Sequence, residues 1–192
     1  MGFRVIVITG NHDLYLSSSN EFSSLPFLSK FSNILHVKDT AKEIEIDGTK
    51  VFLVPWISDV EQFIADGPKT DAKVCIGHFP LTGFRMNKSS KVMDEGIPEA
   101  ALTSRFTTVI SGHYHMRSQK VDGGKNVFYT GSPYQLTWAD AGEARGFSVF
   151  SFNGDELVGV EHVDNKNCIR FVNLIYPQVF AEEEIRGNVI NI

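Results

Sequence analysis

The sequence is short of cysteine, of long apolar runs and of excess positive charge, and each shortage removes a class of protein. Only two cysteines occur among 192 residues. Cys75 and Cys168 are far apart, sit in apolar stretches and form no Cys-x-x-Cys pair, so buried thiols are expected rather than a disulfide framework or a cysteine metal site. No apolar run reaches the roughly 18 residues of a membrane span. The opening run Val5 to Ile8 gives way to loop chemistry at Thr9-Gly10, too early for a signal peptide. No membrane partner and a cytoplasmic location are therefore expected. Lysine and arginine number 18 against 23 acidic residues, a net charge of −5. Bulk electrostatics cannot hold nucleic acid at that balance, so any DNA contact has to be local. Bound divalent cations would add positive charge that this formal count omits.

What is present reads as a globular domain. Hydrophobic residues make up 42% and charged residues 21% of the chain, enough for a real core. There is no internal repeat and no low-complexity tract, and Ser17 to Ser19 reads as a plain loop. The β-branched run Val5 to Ile8 suits a fully buried strand. A short helix is expected over Ser24 to Phe31, with Pro26 in its first turn, and a strand over Ile34 to Val37. Glu43 to Ile46, the Asp47-Gly48 turn and Lys50 to Val54 predict a hairpin. Ser58 and Glu61 predict a capping box for a helix that Gly67-Pro68 stops. Strands over Val74 to Ile76 and Thr107 to Ile110 flank a helix near Pro98 to Ser104. From Gln119 onward short antiparallel strands are expected, at Gln119 to Val121, Asn126 to Tyr129, Phe147 to Phe152, Leu157 to Glu161 and Ile169 to Leu174.

Three of these strands stop at loops of glycine and polar residues: Gly10-Asn11-His12-Asp13, Gly77-His78 and Gly112-His113-Tyr114-His115. In an open α/β sheet the carboxyl ends of strands share one rim, where ligands bind. Glycine allows sharp turns beside an ion, and imidazole and amide oxygen are competent metal ligands. Each loop alone has a plainer explanation. Asn-His also forms turns, Gly-His also caps a core histidine, and His-x-His on a strand places both rings on one side whether or not a metal is there.

In this order the three loops resemble the later motifs of the calcineurin-like metallophosphoesterase superfamily. The resemblance implies that Asn11, His78 and His113 bind one metal ion and His115 its neighbour. His12 would stay unligated to assist the leaving oxygen, with Asp13 orienting it. A second stretch narrows the family: Tyr129-Thr130-Gly131-Ser132-Pro133, then Gln135 to Trp138, then Ala144-Arg145-Gly146-Phe147, resembles the segment after the last histidines of SbcD-like nucleases, phage-type subunits above all. Val54-Pro55-Trp56 and His78-Phe79-Pro80-Leu81-Thr82-Gly83 fit that group too.

The resemblance implies an α/β fold, a two-layer β-sandwich flanked by helices. Residues 1–163 would form a partial metallophosphoesterase domain and 164–192 the start of a capping and partner-binding region. The implied activity is exo- and endonucleolytic hydrolysis of DNA in break repair or recombination, with two divalent ions, manganese by family, and an SbcC-like ATPase partner in a bacterial or phage-infected cell. The superfamily's opening motifs, Asp-x-His and Gly-Asp-x-x-Asp, do not occur ahead of Asp13. A fragment, a split gene product or a degenerate descendant is expected, truncated at both ends, binding one ion alone. A separate chain supplying the missing motifs and a second copy of this chain are further candidate partners. A phosphatase of the same superfamily and a non-cutting adaptor subunit remain rival readings. Between His78 and the next helix, Arg85, Lys88 and Lys91 with Phe84 form a basic loop suited either to a DNA backbone or to solvent. Arg117, Lys120 and Lys125 form a weaker basic group, and His36 and His162 read as structural or surface residues.

Overall fold

The computed structural model describes residues 3–175 and 180–191. Strand β1 (Val5–Ile8) leads through a hairpin of β2 (Leu14–Leu16) and β3 (Ser19–Ser23) to β4 (Ile34–Val37), which lies parallel to β1. The hairpin β5 (Lys42–Ile46) and β6 (Thr49–Val54) follows, then α1 (Val60–Asp66), β7 (Val74–Gly77), α2 (Glu99–Thr103) and β8 (Thr108–Ser111). The second half holds β9 (Ser118–Asp122), β10 (Lys125–Tyr129), the ribbon β11 (Gly146–Asn153) and β12 (Glu156–Asp164), then β13 (Phe171–Asn173), α3 (Glu182–Ile185) and β14 (Val189–Asn191).

One sheet of six strands, in the order β5-β6-β7-β8-β10-β9, carries the domain. Its four inner strands run parallel and an antiparallel hairpin closes each edge. Alternation along each strand divides the core. Phe52, Val54, Cys75, Val109, Val127 and Tyr129 face one side, where Val60 and Phe63 of α1, Leu102 of α2 and Phe106 cover them. Val51, Leu53, Val74 and Ile76 face the other, against Ile6, Ile8, Leu35 and Val37 of the β1-β4 pair and Phe152 of β11. Phe128 meets Phe150 edge to face on that same side. Burying each such side chain stabilises the fold by about 1.5–3 kcal/mol. The result is the two-layer sandwich with α1 and α2 on one outer face.

Several elements depart from the sequence expectation. Val5 is exposed and β1 is only half-buried, because among the described residues β1 pairs with β4 alone. Helix α1 is capped by Asp59, whose carboxylate accepts the Gln62 N–H at 2.9 Å, and not by Ser58. Pro26–Lys30 is a 3-10 helix. The serines at 17 and 18 turn the β2-β3 hairpin, which the sequence reading took for loop. Strand β13 runs parallel to β14, where antiparallel pairing was expected, whereas β10 pairs antiparallel with β9 as expected and also lies parallel to β8. Cys168 is half-exposed, its thiol donating to the Asn165 carbonyl, whereas Cys75 is buried as expected. Residues 176–179 and 192 of the expected C-terminal region lie outside the described residues. No described helix is long and apolar enough to cross a membrane.

Candidate metal centre

The three glycine loops meet, though not on the rim of one sheet. β1 belongs to the smaller layer and β7 and β8 to the larger, so the site sits at the end of the sandwich where the two layers come together. Backbone bonds join the strand ends: the Gly112 N–H donates to the Gly77 carbonyl at 3.0 Å and the Trp56 N–H to the Thr9 carbonyl at 2.8 Å. Below them, Ser111 Oγ accepts the Phe79 N–H, and the Tyr129 hydroxyl accepts the Leu81 N–H while donating to the Phe79 carbonyl. These bonds pin the stretch after His78 against the loop after β8.

Asn11 lies in a 3-10 turn (Asn11–Asp13) closed by the Asp13 carboxylate, which accepts the Gly10 N–H at 2.8 Å. Asn11 Oδ1 stands 2.9 Å from His78 Nε2 and 3.3 Å from His113 Nδ1, and the two ring nitrogens are 3.3 Å apart. Ligands held about 2.1 Å from a common ion stand roughly 3–3.4 Å from each other, so the spacing fits one cation. Burial, followed by neighbouring histidine charge (His113 and His12 for His78, His12 and His115 for His113), pushes both imidazoles down to about 4. They are neutral near pH 7, the form that binds metal. His113 adopts a left-handed backbone, φ 88°, in the loop after β8, so the two histidines of Gly-His-x-His do not share a strand face as expected. Such a conformation costs a non-glycine residue about 1–3 kcal/mol and concentrates at functional sites.

His115 is not among the groups that converge there. Its Nδ1 lies 3.6 Å from Asp140 Oδ2, within ion-pair range but longer than a hydrogen bond. Asp140 is fully buried; it also accepts the Leu136 and Thr137 N–H groups and pairs with Arg145 at 2.7 Å. Burial opposes its ionisation, and the two N–H bonds with the Arg145 and His115 charges outweigh that, holding the carboxyl below its ordinary range. Metal-binding histidines commonly turn their second ring nitrogen to a carboxylate, which would leave Nε2 of His115 as its donor atom. Sequence reasoning quoted the flanking residues and missed Asp140 itself. Its signal was Thr137-x-x-Asp140, a capping box on the 3-10 turn Trp138–Asp140.

His12 is exposed beside the cluster, and a cleft of about 500 Å³ opens there, lined by His12, Asp13, Tyr15 and Phe22. Asp13 caps its own turn, and among the described residues no hydrogen bond joins it to His12, against expectation. The basic loop docks on the site: the Met86 carbonyl accepts the N–H groups of His115 and Met116. Arg85, Lys88 and Lys91 are exposed, Arg85 bonding back to the Ser90 carbonyl and Lys91 lying 3.8 Å from Asp94. Phe84 is buried against Tyr129 and unavailable to a ligand. Arg117 and Lys120 are engaged by Asp164 and Glu99, so they are no free basic patch. His36 bonds Thr9 Oγ1 at 2.9 Å, and His162 bonds Ser148 on the surface. A larger cavity, about 730 Å³, lies along Glu143, Arg145, Asp164 and Phe171 and touches none of the three converging donors.

Among the described residues no three His, Cys, Asp or Glu side chains form a metal-holding group; the centre reaches three donors only by counting the Asn11 amide. A two-layer sandwich with an asparagine and two histidines converging at its end belongs to a definite class. The model of the calcineurin-like phosphoesterase family matches residues 2–117, and the chain belongs to that family, which implies divalent metal chemistry. It is similar to exonuclease subunit 1 of Enterobacteria phage T4, with 32% identity over 152 residues, 78% of this chain and 42% of that protein. The chain thus spans about two fifths of its relative's length.

Proposed function

We propose that the chain takes part in metal-dependent hydrolysis of DNA phosphodiesters, as one subunit of a nuclease acting in the cytoplasm of a bacterial or phage-infected cell. The observation that carries this reading is the convergence of Asn11 Oδ1, His78 Nε2 and His113 Nδ1 within 3.3 Å of one another. These three side chains would hold one ion and His115 a second, with manganese the working metal. Bound there, a divalent cation polarises the phosphate and lowers the pKa of water. His12, unligated and open to the cleft, protonates the leaving oxygen. Asp13 supports it by fixing the turn that carries Asn11 and His12. Arg85, Lys88 and Lys91, on the loop docked to His115, contact the DNA backbone. Residues from 164 onward begin a capping and partner-binding region, with an SbcC-like ATPase as the partner.

The cluster contains no carboxylate, which favours a second reading, an adaptor subunit that binds without cutting. Digestion of linear duplex DNA separates them, with manganese present, for the chain alone and with a polypeptide carrying Asp-x-His and Gly-Asp-x-x-Asp. Digestion that appears with the complement and vanishes in His78→Ala supports the nuclease. No digestion under either condition supports the adaptor, and turnover of phosphoprotein or nucleotide substrates without DNA cleavage points to a phosphatase.

A further inference from the structure

Trp56 lies against both imidazoles of the centre. Its ring stands 5.3 Å from that of His113, tilted by 39°, and 6.0 Å from that of His78, edge-on at 66°. The two imidazoles are themselves 5.1 Å apart at 74°, so the three rings pack as one block. Trp56 is anchored at three points. Its N–H donates to the Thr9 carbonyl at 2.8 Å, its carbonyl accepts Asn20 Nδ2 at 2.8 Å, and its indole N–H donates to the Ser17 carbonyl at 2.7 Å. Thr9 immediately precedes Gly10-Asn11, and Ser17 and Asn20 belong to the hairpin that continues from Asp13. One residue therefore packs its indole on His78 and His113 while its backbone bonds Thr9 and Asn20 and its indole N–H bonds Ser17, on either side of Asn11 and His12.

We infer that Trp56 is a positioning residue, fixing the ring planes of His78 and His113 so that their nitrogens converge with Asn11 on a single divalent cation. This rests on the reading of those three residues as ligands. An imidazole turns easily about its outer torsion, whose wells are broad. Metal-binding rings are usually locked by a hydrogen bond from the second nitrogen to a carboxylate or carbonyl. Among the described residues no carboxylate or carbonyl hydrogen-bonds the nitrogen that faces away from Asn11, Nδ1 of His78 or Nε2 of His113, and aromatic packing takes that place.

Calorimetric titration of zinc into the 192-residue chain tests the assignment, with Trp56→Ala, Trp56→Phe and His78→Ala beside the parent. Loss of an orienting partner weakens metal binding roughly 10- to 100-fold, the effect expected of Trp56→Ala, while Trp56→Phe should stay within about threefold. If Trp56→Ala binds within about twofold of the parent while His78→Ala loses zinc, the positioning role is overturned. If His78→Ala binds as well as the parent, the ligand reading beneath it fails instead. A second measurement does not need Trp56→Ala to fold. The chain has two tryptophans, so Trp138→Phe leaves Trp56 alone. Nickel, an open-shell quencher, should then extinguish its emission saturably, with a midpoint matching calorimetry for nickel. Unchanged emission at saturating nickel overturns the inference.

Discussion

The ring of His78 occupies the space that a side chain at Gly112 would need, since a β-carbon built there would lie 3.0 Å from His78 Nδ1. A β-carbon at Gly10 would meet the same ring at 2.9 Å. Both glycines of the flanking loops are thus clearance for one imidazole. Gly112→Ala should cost about 1–3 kcal/mol by overpacking and, by displacing the ring, weaken zinc binding on the order of 10-fold or more. Calorimetry and thermal unfolding check both; parental zinc affinity in a folded variant would show that the ring has room to spare.

The left-handed backbone of His113 yields a comparison between two variants. His113→Gly and His113→Ala both remove the imidazole, but only glycine adopts φ 88° without strain. The glycine variant should be more stable than the alanine variant by about 1 kcal/mol, with both equally deficient in zinc binding. Urea unfolding of the pair measures the difference, and an alanine variant as stable as glycine would mean that the backbone relaxes.

Asp140 and Arg145 are buried together, with side chains 0% and 1% exposed. Asp140→Ala removes one of the two carboxylates on the guanidinium, Glu143 keeping its own contact at 2.7 Å, and leaves two N–H groups without an acceptor. With Glu143 left to hold the charge, the loss is chiefly that of the two orphaned N–H groups, about 1–3 kcal/mol each. Because Arg145 also donates to the His115 carbonyl, the His115 ring resonances should move in the same variant. A loss below about 1 kcal/mol, within reach of solvent-exposed ion pairs, would contradict this account.

Donor chemistry sets metal preference. Asn11, His78 and His113 offer two imidazoles and an amide, whereas manganese is the weakest binder of the divalent series and favours oxygen. The chain by itself should prefer zinc to manganese and take one ion. Adding aspartate donors from a complementing polypeptide should restore two manganese ions. Tight binding of two manganese ions by the chain alone would mean that a carboxylate of its own, Asp13 being nearest in the motif, has joined the site.

His12 stands outside the converging donors and is exposed. In a completed site His12→Ala should slow DNA hydrolysis on the order of 10²-fold or more, as loss of a positioned acid does. Zinc affinity of the isolated variant should stay at the parental value. Abolished zinc binding in a folded His12→Ala chain would make His12 a ligand.

Much of this protein is local and was readable in sequence. Strand ends at Gly10, Gly77 and Gly112, the Asp47-Gly48 hairpin and the buried stretch around Cys75 follow from β-branched runs and turn residues that act within a few positions. The loops that carry Asn11, His78 and His113 were legible as polar strand ends, the family from the order of those loops, and the ligand role of the three residues only through that resemblance. The helix cap was misread because its local signals lie too close to decide, Asp59 beating Ser58 by one position; the β9-β10 hairpin was legible, but not that β10 also takes β8 as a parallel neighbour.

Distance along the chain marks what sequence could not decide. Asn11 and His78 are 67 positions apart, and only the stacking of two sheets brings their polar atoms to 2.9 Å. The same stacking buries Phe84, turns His115 toward Asp140 and lays Trp56 across two imidazoles, none of which any local pattern encodes. Sequence determined which donor atoms this protein owns and at which strand ends they stand, because turn chemistry is short-ranged. Tertiary structure decided which of them converge, because that depends on how the buried faces of β6 and β7 pack against β1 and β4.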